Sequence, residues 1–128
     1  MKLTIMLLAC ILFFTPSIAQ AEDRHAWTKT DTALQTGFIT LVLIDWKQTR
    51  EFTGNRSKYP TKYESNPLLP AHPTAREVNR FVAGSIIAHT GIAYLLPRPY
   101  RTIWQSIWIG IEGEAVLSNY VAGITTHF

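Results

Sequence analysis

Four ionisable residues could do chemistry, three of them in predicted helices and one in the long loop between the first two helices. They are Asp45, Glu64, His89 and Glu112. Ionisable side chains are costly to place away from water, so such residues are usually paired or functional. Carboxylates and an imidazole transfer protons or ligate a divalent metal ion. We therefore take these four as candidate catalytic groups, and the same four with His72 as weaker candidate metal ligands, because their spacing matches no known metal-binding signature.

A second set of polar residues predicts contacts between helices. Gln105, Glu112 and Asn119 recur every seven residues, which places them on one face of a helix. Such a stripe faces other helices, where amides form interhelical hydrogen bonds. The same structural role is predicted for Gln48, Asn66 and Asn79.

Long stretches with almost no charge dominate the second half of the chain. No charged residue lies between Arg80 and Arg98, and only Glu112 and Glu114 follow Arg101. Charged residues make up 16% of the whole chain, below the roughly 25% typical of soluble domains. Helices with so few charges favour lipid as their surroundings. The competing interpretation is a soluble periplasmic helical domain.

Capping residues and prolines divide the chain into three predicted helices. The helices are expected to cover about residues 32–52, 75–96 and 99–122. Capping boxes that begin at Thr32 and Thr74 mark the first two starts. The prolines within residues 53–73 exclude a helix there and predict a long loop. Gly123 is suited to a left-handed C-cap.

The first 21 residues have the order of a secretory signal peptide. A basic start, an apolar run to Phe14 and an Ala-x-Ala ending at Ala21 are typical of such leaders. Cleavage there predicts a mature domain of residues 22–128. Since Cys10 leaves with the leader, that domain has no thiol for a disulfide or a metal. The alternative is an uncleaved anchor helix, which makes a four-helix protein.

The charges indicate an orientation and exclude one class of partner. Basic residues cluster around the long loop, which the positive-inside rule places in the cytoplasm. The cluster consists of Lys47, Arg50, Arg56, Lys58, Lys62, Arg76 and Arg80, while Arg98 and Arg101 lie at the next turn. Without Lys2 the chain keeps 11 of its 12 basic residues against 9 acidic ones, a net charge of +2. That charge is too small and scattered to predict nucleic-acid binding.

Part of this pattern resembles a known family. The matching residues are Asp45-Trp46-Lys47-Gln48-Thr49, Glu64-Ser65-Asn66-Pro67-Leu68-Leu69, His72-Pro73-Thr74 and Val78-Asn79. They are similar to an uncharacterised family of small bacterial and phage-borne membrane proteins that share D-x-x-Q-T, E-x-N-P-L-L and V-N elements. The resemblance covers about residues 31–122. It implies a helical membrane protein without an established activity.

We therefore predict an all-α, three-helix bundle embedded in the bacterial inner membrane after Sec-type targeting. It would contact the lipid bilayer and a protein partner or a second copy of itself, and act through protein–protein contacts. The aromatic residues Tyr100, Trp104 and Trp108 would anchor or dock the third helix, since aromatic rings with a polar tip suit membrane interfaces. One alternative is a metal-dependent or acid–base membrane enzyme, or an ion-handling site, built from the four ionisable residues. Another is a soluble periplasmic accessory protein.

Overall fold

The computed structural model describes residues 25–126, which form three α-helices. Helix α1 spans Lys29–Gly54, α2 spans Ala75–Leu95 and α3 spans Arg98–Val121. A long loop joins α1 to α2, and residues 96–97 join α2 to α3. Helix α1 packs against both other helices, whereas α2 and α3 contact each other much less. The bundle is therefore organised around α1, with space between α2 and α3.

The all-helical, three-helix part of the prediction is confirmed, since the described residues contain no strand. Over residues 25–126, none of the helices combines the length and the apolar character needed to cross a bilayer. The predicted membrane embedding therefore has no support from the helices. The predicted signal peptide, residues 1–21, lies outside the described residues.

Helix α1 begins earlier than predicted. Thr28 is its N-cap: the Thr28 hydroxyl accepts from the Asp31 N–H at 3.1 Å, and the Asp31 carboxylate accepts from the Thr28 N–H at 2.8 Å. This capping box satisfies two backbone donors. The predicted cap at Thr32 was wrong, because the Thr32 hydroxyl instead donates to the Thr28 carbonyl. The helix gains an extra turn, which brings Asp31 into the bundle.

Helix α2 begins at the predicted capping box. The Thr74 hydroxyl accepts from the Glu77 N–H at 3.3 Å, and the Glu77 carboxylate accepts from the Thr74 N–H at 2.6 Å. Prolines before this helix and at residue 97 set its two limits, because proline cannot continue a helix. Helix α3 then starts with Pro99 in its first turn, where a missing N–H costs nothing.

The end of α3 is fastened to the end of α1. Gly123 has a φ of 81°, and the Ile124 N–H donates to the Asn119 carbonyl at 3.0 Å. This geometry is a Schellman motif, in which a left-handed glycine lets the chain turn back. The turn buries Ile124 against Phe52 and Tyr59. The C-terminal turn therefore holds α3 in register with α1.

The interior of the bundle is half polar, since as many polar as apolar residues are buried, and many large apolar side chains lie outside. The buried polar residues are Asp31, Gln35, Gln48, Thr49, His89, Arg101 and Gln105. Large apolar side chains lie outside: Ile87, Leu95 and Val121 are 72%, 75% and 78% exposed. Most water-soluble bundles bury mainly apolar residues and expose mainly polar ones. The polar interior is what forms the two clusters between α1 and α3.

Candidate functional site

The first cluster, the Arg101 cluster, joins the start of α3 to the start of α1. The Arg101 side chain is completely buried and its Nη1 lies 3.0 Å from Asp31 Oδ2. The guanidinium also donates to the carbonyls of Ala93 at 2.7 Å, His25 at 3.0 Å and Ala26 at 3.2 Å. Ala93 belongs to the last turn of α2, whose free carbonyls favour a nearby cation. One arginine thus binds three parts of the chain.

The charges of the Arg101 cluster compensate each other. Burial would raise the pKa of Asp31, but hydrogen bonds from Thr28 and Arg101 outweigh burial and hold that pKa below its ordinary value. A buried ion pair is tolerated when its remaining hydrogen-bonding groups are satisfied. The sequence offered no local signal for this role, since Arg101 and Arg98 look alike beside the prolines. We interpret the cluster as structural.

A chain of amides leads from the Arg101 cluster to His89. The Gln105 Nε2 donates to the Asp31 carbonyl at 3.0 Å and to Gln35 Oε1 at 3.2 Å. The Gln35 Nε2 in turn donates to Thr90 Oγ1 at 2.9 Å and lies 3.3 Å from His89 Nδ1. An amide nitrogen only donates, so His89 Nδ1 is the acceptor. The ring proton of His89 is therefore on Nε2.

His89 lies in an aromatic environment. Its ring stacks on Phe38 and Trp104 at centroid distances of 3.6 Å and 5.5 Å, and Trp108 meets it edge-on at 6.3 Å. Burial lowers the pKa of His89 to about 4, so the ring is neutral at physiological pH. Its buried Nε2 has no hydrogen-bond partner within residues 25–126. Buried donors of this kind are rare and require an explanation.

The second cluster surrounds a cavity of about 550 Å³, which we call the acidic cavity. It lies between the three helices, beneath loop residues 63–69. Four acids line it: Asp45, Glu64, Glu112 and Glu114. Among the described lining residues there is no lysine or arginine, while aromatic rings form much of the wall. The aromatic lining includes Phe38, Trp46, Phe81, Trp104 and Trp108.

Two acids of the cavity titrate close to neutral pH. Burial and then the charge of Glu64 raise the pKa of Asp45 to about 6, although a hydrogen bond from Asn119 opposes the shift. Burial and then the charge of Asp45 raise the pKa of Glu112 to about 7. Because these groups influence each other, they lose their protons as a coupled set. The protonation of both carboxyl groups therefore changes between about pH 6 and pH 7.

A compact turn carries Glu64 to the cavity. Its Oε1 accepts from the Asn66 N–H at 2.8 Å, and its own N–H donates to the Ala71 carbonyl at 2.9 Å. The Asn66 Oδ1 accepts from the Leu68 N–H at 3.0 Å, a local turn bond typical of asparagine. Pro67 lies between these partners. The Glu-x-Asn-Pro-Leu-Leu segment thus forms an ordered cover over the cavity.

The polar stripe of α3 faces α1. The Asn119 Nδ2 donates to Asp45 Oδ1 at 2.9 Å and to Gln48 Oε1 at 3.4 Å. The Gln48 Nε2 donates to the Val116 carbonyl at 3.2 Å. These bonds position the Asp45 carboxylate at the cavity wall.

Asn79 makes a separate contact between α1 and α2. Its Oδ1 accepts from Trp46 Nε1 at 2.8 Å and from Arg50 Nη1 at 3.0 Å. This contact is on the exposed side of the helix pair. It holds the start of α2 against α1 without reaching the acids.

The structure brings together some of the predicted site residues and separates others. Asp45, Glu64 and Glu112 line one cavity, and His89 lines its aromatic part. His72 is exposed on the loop and outside the cavity lining. Within residues 25–126, no group of three or more histidines, cysteines or acids is placed to hold a metal ion. The five weak metal-ligand candidates therefore do not form a ligand set.

The predicted role of the α3 aromatics differs from their position. Trp104 and Trp108 were expected to anchor α3 at an interface, but both line the acidic cavity. The Trp104 Nε1 donates to the His89 carbonyl at 3.3 Å, inside the bundle. Tyr100 is 40% exposed. Helical spacing placed the two tryptophans on one side of α3 without revealing that this side faces α2.

Comparisons with known proteins returned no match to any protein family, curated protein or solved structure. The resemblance to the uncharacterised membrane-protein family therefore stays a prediction.

Proposed function

We propose that the acidic cavity is an acid–base site in which Asp45 and Glu112 take up and release protons near neutral pH. The observation that carries this proposal is that four carboxyl groups from α1, α3 and the loop line one cavity without a lysine or arginine in its described lining. A carboxyl group that titrates near neutral pH is suited to both donating and accepting a proton.

The surroundings of the carboxyl groups support this role. Two acids in one partly dry site cannot both ionise cheaply, so one of them retains its proton to higher pH. Glu112 is that group, because its pKa is raised to about 7 while that of Asp45 is raised to about 6. Glu64 adds negative charge from the loop side. Proton transfer by such a positioned group typically contributes about 10²–10⁴-fold to a reaction rate.

The direct test is a titration of the carboxyl carbons by ¹³C NMR. In the wild-type protein we expect two of the acids to titrate well above the ordinary range. In Asp45→Asn the pKa of Glu112 should fall, because the charge of Asp45, which raises it, is removed. Glu51→Gln is the matched control, since Glu51 is on the same helix as Asp45 but pairs with Lys58 away from the cavity. Ordinary pKa values for both Asp45 and Glu112 would refute the proposal.

A second candidate function is membrane association in the bacterial inner membrane, with contacts to a protein partner or a second copy. The observation that favours it is the set of large apolar side chains on the outside of the bundle, among them Ile87, Leu95, Ile103, Ile107 and Val121. Exposed apolar surfaces of this extent usually meet lipid or protein. Carbonate-washed membranes that retain the protein would support this candidate. Release into the periplasmic fraction by osmotic shock would support the accessory-protein alternative instead.

A further inference from the structure

We propose that one end of the bundle docks onto an anionic phospholipid surface. This end, which we call the loop end, consists of the last turns of α1, the long loop and the first turns of α2, residues 47–80. The proposal rests on the second candidate function, membrane association, and names the class of lipid that the protein would meet. It does not involve the acidic cavity.

The charge of the loop end is strongly positive. Residues 47–80 contain seven basic and three acidic residues, a net charge of +4. The other described residues contain three basic and four acidic residues, a net charge of −1. The small net charge of the chain therefore conceals an asymmetry, and the loop end would attract an anionic surface.

Much of this positive charge is not neutralised. The exposed side chains of Arg56, Arg76 and Arg80 form no ion pair within residues 25–126. Of the acids at the loop end, only Glu51 forms an ion pair, and its partner is Lys58. Exposed charges without a partner remain available to phosphate groups, which arginine binds well.

Helix packing gathers arginines around the start of α2. Arg76, Asn79 and Arg80 share one face of that helix, since they are three and four residues apart. The Asn79 Oδ1 accepts from Arg50 Nη1 at 3.0 Å and from Trp46 Nε1 at 2.8 Å, and the Arg50 guanidinium lies 5.8 Å from the centre of the Trp46 ring. Arginine and tryptophan side chains from two helices therefore meet here, and such residues are typical of the headgroup region of a membrane.

Exposed apolar side chains of the loop favour a membrane over a purely ionic partner. Tyr63 and Leu68 are 66% and 68% exposed, in the same loop as Arg56 and Lys62. A bilayer offers phosphates to basic side chains and an acyl boundary to apolar ones within one surface. Duplex nucleic acid presents its phosphates but keeps its base faces stacked inside. The combination at the loop end fits the bilayer better.

The test is flotation of the purified full chain with lipid vesicles. One set of vesicles is phosphatidylcholine alone, and the other is an equal mixture of phosphatidylcholine and phosphatidylglycerol. We expect the protein to partition onto the mixed vesicles at least about tenfold more strongly at low salt, because each basic side chain gains from the negative surface potential. The preference should shrink as salt is added, since ions screen the attraction.

Two matched double variants locate the binding surface. Arg76→Gln combined with Arg80→Gln should weaken binding to the mixed vesicles by about 25-fold, since each basic side chain near an anionic surface contributes about fivefold. Lys29→Gln combined with Arg98→Gln removes two exposed charges at the opposite end and should change binding by less than about twofold. Circular dichroism checks that both variants fold. If the first does not, Arg56→Gln removes an unpaired charge from the loop instead.

A third variant tests the apolar part of the surface. Tyr63→Ser combined with Leu68→Ser should weaken binding to both kinds of vesicle by about tenfold, because less apolar surface enters the acyl boundary. The ratio between the two kinds of vesicle should stay the same. A purely ionic surface, which would contradict the proposal, would leave the binding of this variant unchanged.

Several results would overturn the inference. These are equal partitioning onto the two kinds of vesicle, equal losses in the two charge variants, or displacement from the mixed vesicles by duplex DNA at an equal phosphate concentration. Equal partitioning would refute the anionic preference and leave membrane association standing, whereas no flotation with either kind of vesicle would refute both. The acid–base proposal is tested separately, by the titration of Asp45 and Glu112.

Discussion

The Arg101 cluster and the acidic cavity both connect α1 to α3, yet their charges are arranged in opposite ways. In the Arg101 cluster one buried guanidinium meets the carboxylate of Asp31 and several backbone carbonyls. In the acidic cavity, Asp45 and Glu112 meet other acids and an amide. The first cluster is closed and neutral, and the second surrounds free volume and is negative. Local charge balance therefore separates the structural polar residues from the candidate functional ones.

The contrast also explains why the same residue type behaves differently within one bundle. Asp31 receives hydrogen bonds that favour its charged form, so its pKa lies below the ordinary value despite burial. Asp45 receives one such bond, from Asn119, and its pKa is raised to about 6 because burial and the charge of Glu64 outweigh it. The structural ion pair and the proposed acid–base site thus use different parts of α1.

The largest loss of stability is expected when the Arg101 cluster is disrupted. Arg101→Met should reduce the free energy of unfolding by about 3–5 kcal/mol, because Asp31 would remain buried without its partner. Urea denaturation followed by circular dichroism measures this change. Arg98→Met, at an exposed position of the same turn, is the control and should change stability by less than about 0.5 kcal/mol. Similar values for the two variants would show that the cluster is not structural.

The second-largest effect is expected on the pH dependence of stability, which reflects the titration of Glu112 in the acidic cavity. Because the pKa of Glu112 is raised from 4.5 to about 7 in the folded protein, its neutral form stabilises the fold at low pH. That stabilisation is lost as pH rises through about 7. Glu112→Gln should therefore be more stable than the wild-type protein at about pH 8, by about 1–2 kcal/mol after allowance for partial exposure. Thermal unfolding at about pH 5 should show little difference, and a constant difference at both pH values would contradict the assignment.

A smaller effect is expected from the amide that bonds to Asp45. Asn119→Ala should destabilise the protein by about 0.5–1.5 kcal/mol, since a part-buried hydrogen bond is lost. The pKa of Asp45 should rise further, because the bond from Asn119 lowers it. Asn79→Ala is the matched control: it removes bonds to Trp46 and Arg50 but should leave the Asp45 titration unchanged. An NMR titration that moves equally in both variants would argue against a local role for Asn119.

The smallest change in stability is expected when the replaced acid lies outside both clusters. Glu51 and Lys58 approach to 3.6 Å on the surface, and both side chains are at least 36% exposed. Glu51→Gln should change stability by less than about 0.5 kcal/mol, because exposed ion pairs contribute little. Urea denaturation of Glu51→Gln under the conditions used for the Arg101 and Glu112 variants measures this change. A large loss of stability in Glu51→Gln would show that charges outside the two clusters matter as much as charges within them.

The local features of this fold were predictable from short segments. The capping box at Thr74, the proline-containing loop and the left-handed Gly123 all act within about one helical turn, so neighbouring residues suffice to identify them. The seven-residue spacing of Gln105, Glu112 and Asn119 likewise placed them on one face. The start of α1 was missed because Thr28 and Thr32 both precede possible capping partners. Asp31 favours the earlier start, since it also binds Arg101.

The geometry of both polar clusters depended on contacts between different segments of the chain. Arg101 is buried because carbonyls of His25 and Ala93 reach it from the chain before α1 and from the last turn of α2. Neither position is visible from the residues around Arg101. Trp104 faces the cavity, not an outer interface, for the same reason. Helix spacing defines a face, but the partner of that face is set by how the helices pack.

The amino-acid sequence was sufficient to predict three helices, their approximate limits and the set of acids worth testing, because capping, proline and helical periodicity are short-range effects. It left open which acids share a cavity, which acid is neutralised and which nitrogen of His89 carries the proton. Those properties arise where segments some 70 residues apart make contact, as Arg101 with Asp31 and Asn119 with Asp45 do. Burial and charge pairing, which set the chemistry here, exist only after those contacts form.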